Sequence, residues 1–244
     1  MSKPKLSIVI ITLNEQERLP RLLNDLAMQS WKDFEIIHVD SNSDDATVAL
    51  SKDQASRFPA YRVIEMTERG VSLGRNKGAA AARGERLLFL DADTRLAPSF
   101  LEVAMRNLEN ATADIGIVLM SSEGLPLLQK LGFGAFNFGI RLTKRLFPTA
   151  IGACLFSTRL THRAVGGFDE RIQLCEDCDY VLRASRLKGH TQIIVSQKFR
   201  FDPRRLDQDG LFATGLTYLK ANLLRLVSGE LRNQEIAYQF GHYK

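Results

Sequence analysis

Four short apolar runs, each ending in a polar cluster, constrain the fold of this chain more than any other feature. LSIVIIT (6 to 12), FEIIHVD (34 to 40), YRVIEM (61 to 66) and RLLFLD (86 to 91) are continuous, rich in β-branched and aliphatic residues, and too short for helices. The clusters at their ends are TLNE, DSNSD, GRNKG and DADT. Between the runs lie helical patterns. EQERLPRLLNDLAMQ sets Leu19, Leu22, Leu23, Leu26 and Ala27 on one face, Asp44 or Asp45 can cap the next helix, and SLGRNKGAAAAR makes a third. Strands alternating with helices at this interval predict an α/β fold with a doubly wound, mostly parallel sheet. Ligands of such sheets bind outside the carboxyl ends of the strands, so the four clusters should converge on one cleft.

The remainder is less regular. Pro98 opens a helix through about Glu109, DIGIVLM (114 to 120) reads as a strand, and another strand near Ile151 to Ser157 precedes a short helix through Val165. A further helix has an acidic first turn, Glu176, Asp177 and Asp179, and a basic end, Arg183, Arg186 and Lys188, before Gly189; that polarity suits the helix dipole. TQIIVS is a late strand. Residues 211–228 predict an amphipathic helix with Leu216, Leu219, Leu223 and Leu226 inward and Lys220 and Arg225 outward. The segment 125–147 combines Leu128, Leu131, Phe136, Phe138 and Leu142 with Lys130, Arg141, Lys144 and Arg145, which fits an acceptor lid, a membrane-surface segment or a buried helix.

Asp91 and Asp93 carry the sharpest chemical signal. Two carboxylates one residue apart at the end of a buried strand repel each other unless a cation sits beside them. Mg²⁺ or Mn²⁺ is the natural choice, a hard ion that takes oxygen ligands and completes its shell with water and phosphate. A solvated turn is the alternative. The 33 basic residues against 28 acidic ones, a formal charge of +5, suit an anionic ligand or an acidic membrane surface. A dinucleotide enzyme is set aside because TLNEQE stands where its glycine-rich loop would follow the first strand, and no stretch ending in Gly-Lys-Ser or Gly-Lys-Thr occurs.

The three cysteines, Cys154, Cys175 and Cys178, form no disulfide framework, and CEDC lacks the strand-to-helix context of a redox motif. With no signal-peptide pattern and no run near the roughly 18 apolar residues of a membrane span, a cytoplasmic location is expected.

LSIVIITLNE, VDSNSDD, GRNKGAAAARGERLLFLDADT, GGFDE and EDCDYVLRASRLKG stand in the order and spacing of the family-2 glycosyltransferases, and the resemblance covers about residues 5–195. It implies a GT-A fold, a nucleotide-diphosphate-sugar donor with a UDP-sugar favoured, a divalent cation and transfer with inversion. It also implies residue roles. Thr12, Asn14 and Glu15 would line the nucleoside pocket and Asp40 would hold the base, with Asn42, Asn76 and Ala92 beside the donor. Arg75 would lie over the base or diphosphate, Asp91 would contact the ribose or a metal water, and Asp93 would ligate the metal. Asp177 takes the position of the catalytic base, with Glu176 as the fallback.

The chain departs from the family in two places: Ser41 stands where many relatives carry a second acid, and the Gln-x-x-Arg-Trp motif of processive synthases is missing, which implies a single addition. The expected organisation is one domain over 1–208, with a donor half to about 120 and an acceptor and catalytic half beyond it, and a helical tail over 209–244. The expected acceptor is a glycan or a lipid-linked hydroxyl in cell-envelope synthesis, with peripheral contact to the anionic inner membrane and no nucleic acid. The rival readings are a sugar-phosphate nucleotidyltransferase and a non-catalytic partner subunit that binds nucleotide-sugar.

Overall fold

A computed structural model describes residues 3–201, 211–232 and 236. Strands β1 (Leu6–Thr12) and β2 (Phe34–Asp40) are buried at every residue, which is why their sequences run apolar without alternating. β3 (Tyr61–Glu65) pairs in parallel with β2, and β4 (Arg86–Asp91) pairs in parallel with β1. The register sets Thr12 opposite Asp40 and Ile11 opposite Asp91, so the polar ends of three strands come level.

Helices α1 (Leu19–Ala27), α2 (Thr47–Gln54) and α3 (Val71–Ala81) make the connections. α1 starts at Leu19, the first residue of its apolar pattern, with a proline in its first turn. It buries Leu19, Leu22, Leu23 and Leu26 against one face of the sheet. Each such leucine contributes about 1.5–3 kcal/mol, so Leu22→Ala would cost roughly 2–5 kcal/mol. On the other face α3 lies so close that a Cβ at Gly78 would fall 2.2 Å from Val9 Cγ1; only glycine fits there. Asp45 does serve the start of α2, accepting from the Thr47 amide at 3.0 Å.

The second half interrupts the parallel order. β5 (Thr94–Arg95) follows DAD directly, and β6 (Ile115–Met120) comes after α4 (Phe100–Asn110), which begins two residues beyond Pro98. α5 (Leu127–Thr143) leads to β7 (Cys154–Thr158), which runs antiparallel to both β4 and β6. α6 (Arg159–Ala164), α7 (Glu176–Ser185), β8 (Gln192–Phe201) and α8 (Leu211–Ser228) complete the chain. Among the described residues the sheet has eight strands in the order β3-β2-β1-β4-β7-β6-β8-β5. β8 runs well past TQIIVS, because its far end pairs with β5.

The tail helix corrects the sequence expectation. Leu216, Leu223 and Leu226 face solvent, whereas Ala221 and Arg225 are buried. Arg225 turns inward because Glu230 accepts from its Nε at 2.7 Å and its guanidinium lies 4.7 Å from the centroid of the Phe147 ring. The expected place of Leu219, and the boundary near 208, lie outside what the structure describes. The three cysteines are free and buried.

Candidate active site

At the ends of β1 and β2 the two loops are laced together. Asn14 and Asn42 both adopt left-handed backbone, φ 58° and 64°, which asparagine tolerates better than most residues. The Asn14 amide donates to Ser43 Oγ at 2.9 Å, the Asp44 amide donates to Asn14 Oδ1 at 2.8 Å, and the Glu15 amide donates to Thr47 Oγ1 at 2.8 Å. Asp40 is buried, and its carboxylate accepts from Thr12 Oγ1, Ser43 Oγ and the Ser43 amide. It therefore fastens the loop after β2 to the end of β1.

Behind Asp40 runs a directed relay. Because Thr12 gives its proton to Asp40, its oxygen accepts from His38 Nε2 at 2.8 Å, and Nδ1 then accepts from Ser51 Oγ at 2.6 Å, which in turn accepts from Tyr61 at 2.8 Å. Burial drives the His38 pKa down to about 4 against the pull of Asp40 and Glu65, so the ring is neutral, as this chain of donors requires. Burial likewise pushes the Tyr61 hydroxyl up to about 12.

Arg75, from α3, is the hub. It is 2% exposed, donates from Nη1 to Glu176 Oε1 at 2.5 Å and from Nη2 to Asp91 Oδ1 at 3.0 Å, and lies 5.2 Å from the centroid of the Phe168 ring. The guanidinium is enclosed by the protein's own carboxylates, which keep it charged despite its burial. Asn76, one residue on, holds the GGFDE loop, donating to Phe168 O at 2.9 Å and to Glu170 at 2.8 Å and accepting from the Phe168 amide at 2.8 Å. Ala92 is buried between Asp91 and Asp93, which are both half-buried at the end of β4.

Asp177 and Glu176 open α7. Cys175 before them is left-handed, φ 66°, a conformation that costs a non-glycine residue about 1–3 kcal/mol and concentrates at functional sites. Asp177 accepts from the Gly152 amide at 2.5 Å and from the Cys178 amide at 2.7 Å. Glu176 is raised to about 7, by burial first and by the charge of Asp177 as well, while Arg75 opposes the shift. Gly152 joins the two halves of the site, since a Cβ there would fall 2.7 Å from Arg75 Nη2. Sequence reasoning missed Gly152, Phe168 as the platform under Arg75, and His38. The first lies in the unmarked stretch TAIGAC, and His38 reads simply as part of a strand.

A divalent cation fits this arrangement. Asp91, Glu176 and Asp177 set three carboxylates around the single guanidinium of Arg75, an excess of negative charge even before Asp93 is counted. An anionic diphosphate would be repelled unless a cation came with it. No group of three or more His, Cys, Asp or Glu residues cages an ion among the described residues. Asp91 and Asp93, one residue apart at the end of β4, offer the oxygen donors that a hard divalent cation takes.

The site thus lies at the carboxyl ends of the strands of a mostly parallel α/β sheet. The sequence model "Glycosyl transferase family 2" matches residues 7–163, and the chain belongs to that family. A PGL/p-HBAD biosynthesis glycosyltransferase of Mycobacterium bovis is 32% identical over 188 residues, covering 75% of this chain and 70% of the relative. A cholesterol galactosyltransferase of Borreliella burgdorferi is 29% identical over 113 residues, which is 46% of this chain and 32% of that protein. The chain thus spans about a third of that relative's length. Among solved structures, the mannosyltransferase PcManGT from Pyrobaculum calidifontis, in complex with GDP-Man and Mn²⁺, superposes with a TM-score of 0.71 at 21% identity, over 92% of this chain and 65% of that one. The fold is the GT-A fold of glycosyltransferases.

Proposed function

We propose that this chain transfers one sugar from a nucleotide-diphosphate-sugar to an acceptor hydroxyl with inversion at the anomeric carbon. The observation that carries the reading is the bridge through Arg75, which ties the carboxylate at the end of β4 to the acidic start of α7. Residues to about 120 hold the donor, and the chain beyond them holds the acceptor and the base. Asp40 and Thr12 shape the base pocket through the relay behind them, with Asn14, Glu15, Asn42 and Asn76 fixing the loops around the donor.

Asp177 is the base. The acceptor oxygen forms its bond to the anomeric carbon as the bond from that carbon to the diphosphate oxygen breaks, and the acceptor proton passes to the Asp177 carboxylate. The nucleoside diphosphate leaves with the electron pair. A Mg²⁺ or Mn²⁺ ion on Asp91 and Asp93 would supply charge neutralisation for that leaving group. Glu176, pinned to Arg75, holds the guanidinium in place and does not meet the acceptor. The gathering of carboxylates at one strand end favours this reading over nucleotidyl transfer, which would require a catalytic cation just after β1, where TLNEQE stands.

The setting is the cytoplasmic side of the membrane, the donor a UDP-sugar, and the acceptor a glycan or a lipid-linked hydroxyl. The test is calorimetric titration of the protein with UDP, GDP, CMP and dTDP, each with and without Mn²⁺. Metal-dependent binding of one nucleotide is expected. Binding of none by the folded protein would overturn the reading.

A further inference from the structure

α5 is apolar on two sides. Phe133 and Ile140 face the protein, and Asn137 is fastened to β6, its Oδ1 accepting from the Met120 amide at 3.2 Å and its Nδ2 donating to the Met120 carbonyl at 2.8 Å. The opposite side carries Leu127, Leu131, Phe138 and Leu142, which recur four or seven residues apart and so form one stripe. These side chains are between 62% and 74% exposed, and Leu146 just beyond them is 91% exposed. A globular helix has no reason to keep such a stripe in water.

The charges beside it say what covers it. Lys130 and Arg141 are exposed along one flank of the stripe, Lys144 and Arg145 follow the helix, and no acidic residue occurs from 125 to 149. α8 packs beside α5, with Leu216, Leu223 and Leu226 exposed, Lys220 among them, and again no acidic residue from 211 to 228. An exposed apolar stripe with a purely basic border is the pattern of a helix lying in the plane of an anionic bilayer, with its apolar side in the acyl boundary and its cations among the headgroups. No helix among the described residues is long and apolar enough to cross a membrane. A second copy of the chain would bring the same cations to the contact and be repelled.

We propose that the outer stripe of α5, with the exposed leucines of α8 beside it, docks this protein on an anionic lipid surface. The placement serves the site. α5 runs directly into the segment that ends at Gly152, whose amide donates to Asp177, so a chain seated on lipid by α5 holds the base beside acceptors in that surface. The acceptor part of this statement rests on the transferase reading above. The lipid contact does not, and it is read without donor or acceptor.

The experiment is co-sedimentation of the full chain with vesicles of phosphatidylcholine alone and of equal parts phosphatidylcholine and phosphatidylglycerol, with no nucleotide present. Binding to the mixed vesicles is expected, weakening by roughly tenfold or more in the double variant Lys130→Glu with Arg141→Glu, and by at least about tenfold in the triple variant Leu131→Gln, Phe138→Gln, Leu142→Gln. All five changes are at exposed positions, so thermal melts should match the wild type. Equal binding to both vesicle types, no binding to either, or binding unchanged in both variants would overturn the proposal. A dimer in analytical sedimentation that the triple variant dissolves would also overturn it, because a second copy would then be the occupant. Failure of nucleotide titration would sink the transferase reading and leave the vesicle result standing.

Discussion

Arg75 Nη1 lies 2.5 Å from Glu176 Oε1, a contact that crosses from α3 in the parallel half to the start of α7. With its other arm on Asp91, the guanidinium joins two elements 101 residues apart in sequence. Removing it leaves the half-buried carboxyl groups of Asp91 and Glu176 without their partner. Arg75→Ala should therefore lower the free energy of unfolding by about 3–5 kcal/mol, and Arg75→Lys should fall between, since an ammonium has charge but no fork. Urea denaturation measures both. A midpoint unchanged in the alanine variant would contradict the hub.

Gly152 is where the segment after α5 meets that hub. A methyl group there points at the buried Arg75 fork, so Gly152→Ala must displace either the guanidinium or the loop that donates to Asp177. A cost of roughly 1–3 kcal/mol in stability is expected, with sugar transfer falling further than nucleotide affinity. Equal losses in both would mean the loop serves the donor alone.

His38 ties stability to pH. Its folded pKa, about 4, is depressed below its ordinary value of 6.5, so the unfolded chain binds more protons between those values. Stability is thus fully present above 6.5 and lost as pH falls toward 4, by an amount on the order of 3 kcal/mol. Burial, helped by Arg183, depresses His162 to about 4 as well, which adds to the same slope. His38→Gln should destabilise at every pH and retain only part of the acid-side decline in urea titrations at several pH values. An undiminished decline would show that His38 does not titrate on unfolding.

Asp93 should matter only when metal is present. Asp93→Ala is expected to abolish the gain in nucleotide affinity on adding Mn²⁺, and chelation should reduce the wild type to the affinity of the variant. Metal-dependent binding that survived in the variant would move the ion elsewhere.

The parallel half was legible because its signals are local. Continuous apolar runs, helical spacing in α1 and polar strand ends locate β1 through β4 almost to the residue. Asp91 and Asp93 stood out as carboxylates at a strand end, where they are costly, whereas Glu176 and Asp177 read locally as an ordinary acidic helix start and were singled out by the resemblance to the family-2 glycosyltransferases. The antiparallel insertion of β7, the short β5 and the long β8 are set by pairing across the sheet, which no local pattern encodes. The tail helix was misread because amphipathic spacing locates an apolar face without saying whether protein or something else covers it. Arg225 could turn inward only because Glu230 and Phe147 receive it. The ion pairs of Arg75 with Asp91 and Glu176 were likewise beyond local reading, because they join side chains 16 and 101 residues away.

The account turns on Asp177, and the most direct measurement compares donor affinity with sugar transfer in Asp177→Asn. Asparagine keeps the shape and can still accept from the Gly152 amide, but it cannot take the acceptor proton. Nucleotide affinity in Mn²⁺ should equal that of the wild type while transfer falls by about a hundredfold to ten-thousandfold. Transfer at the wild-type rate in that variant would contradict the assignment of the base and, with it, the mechanism.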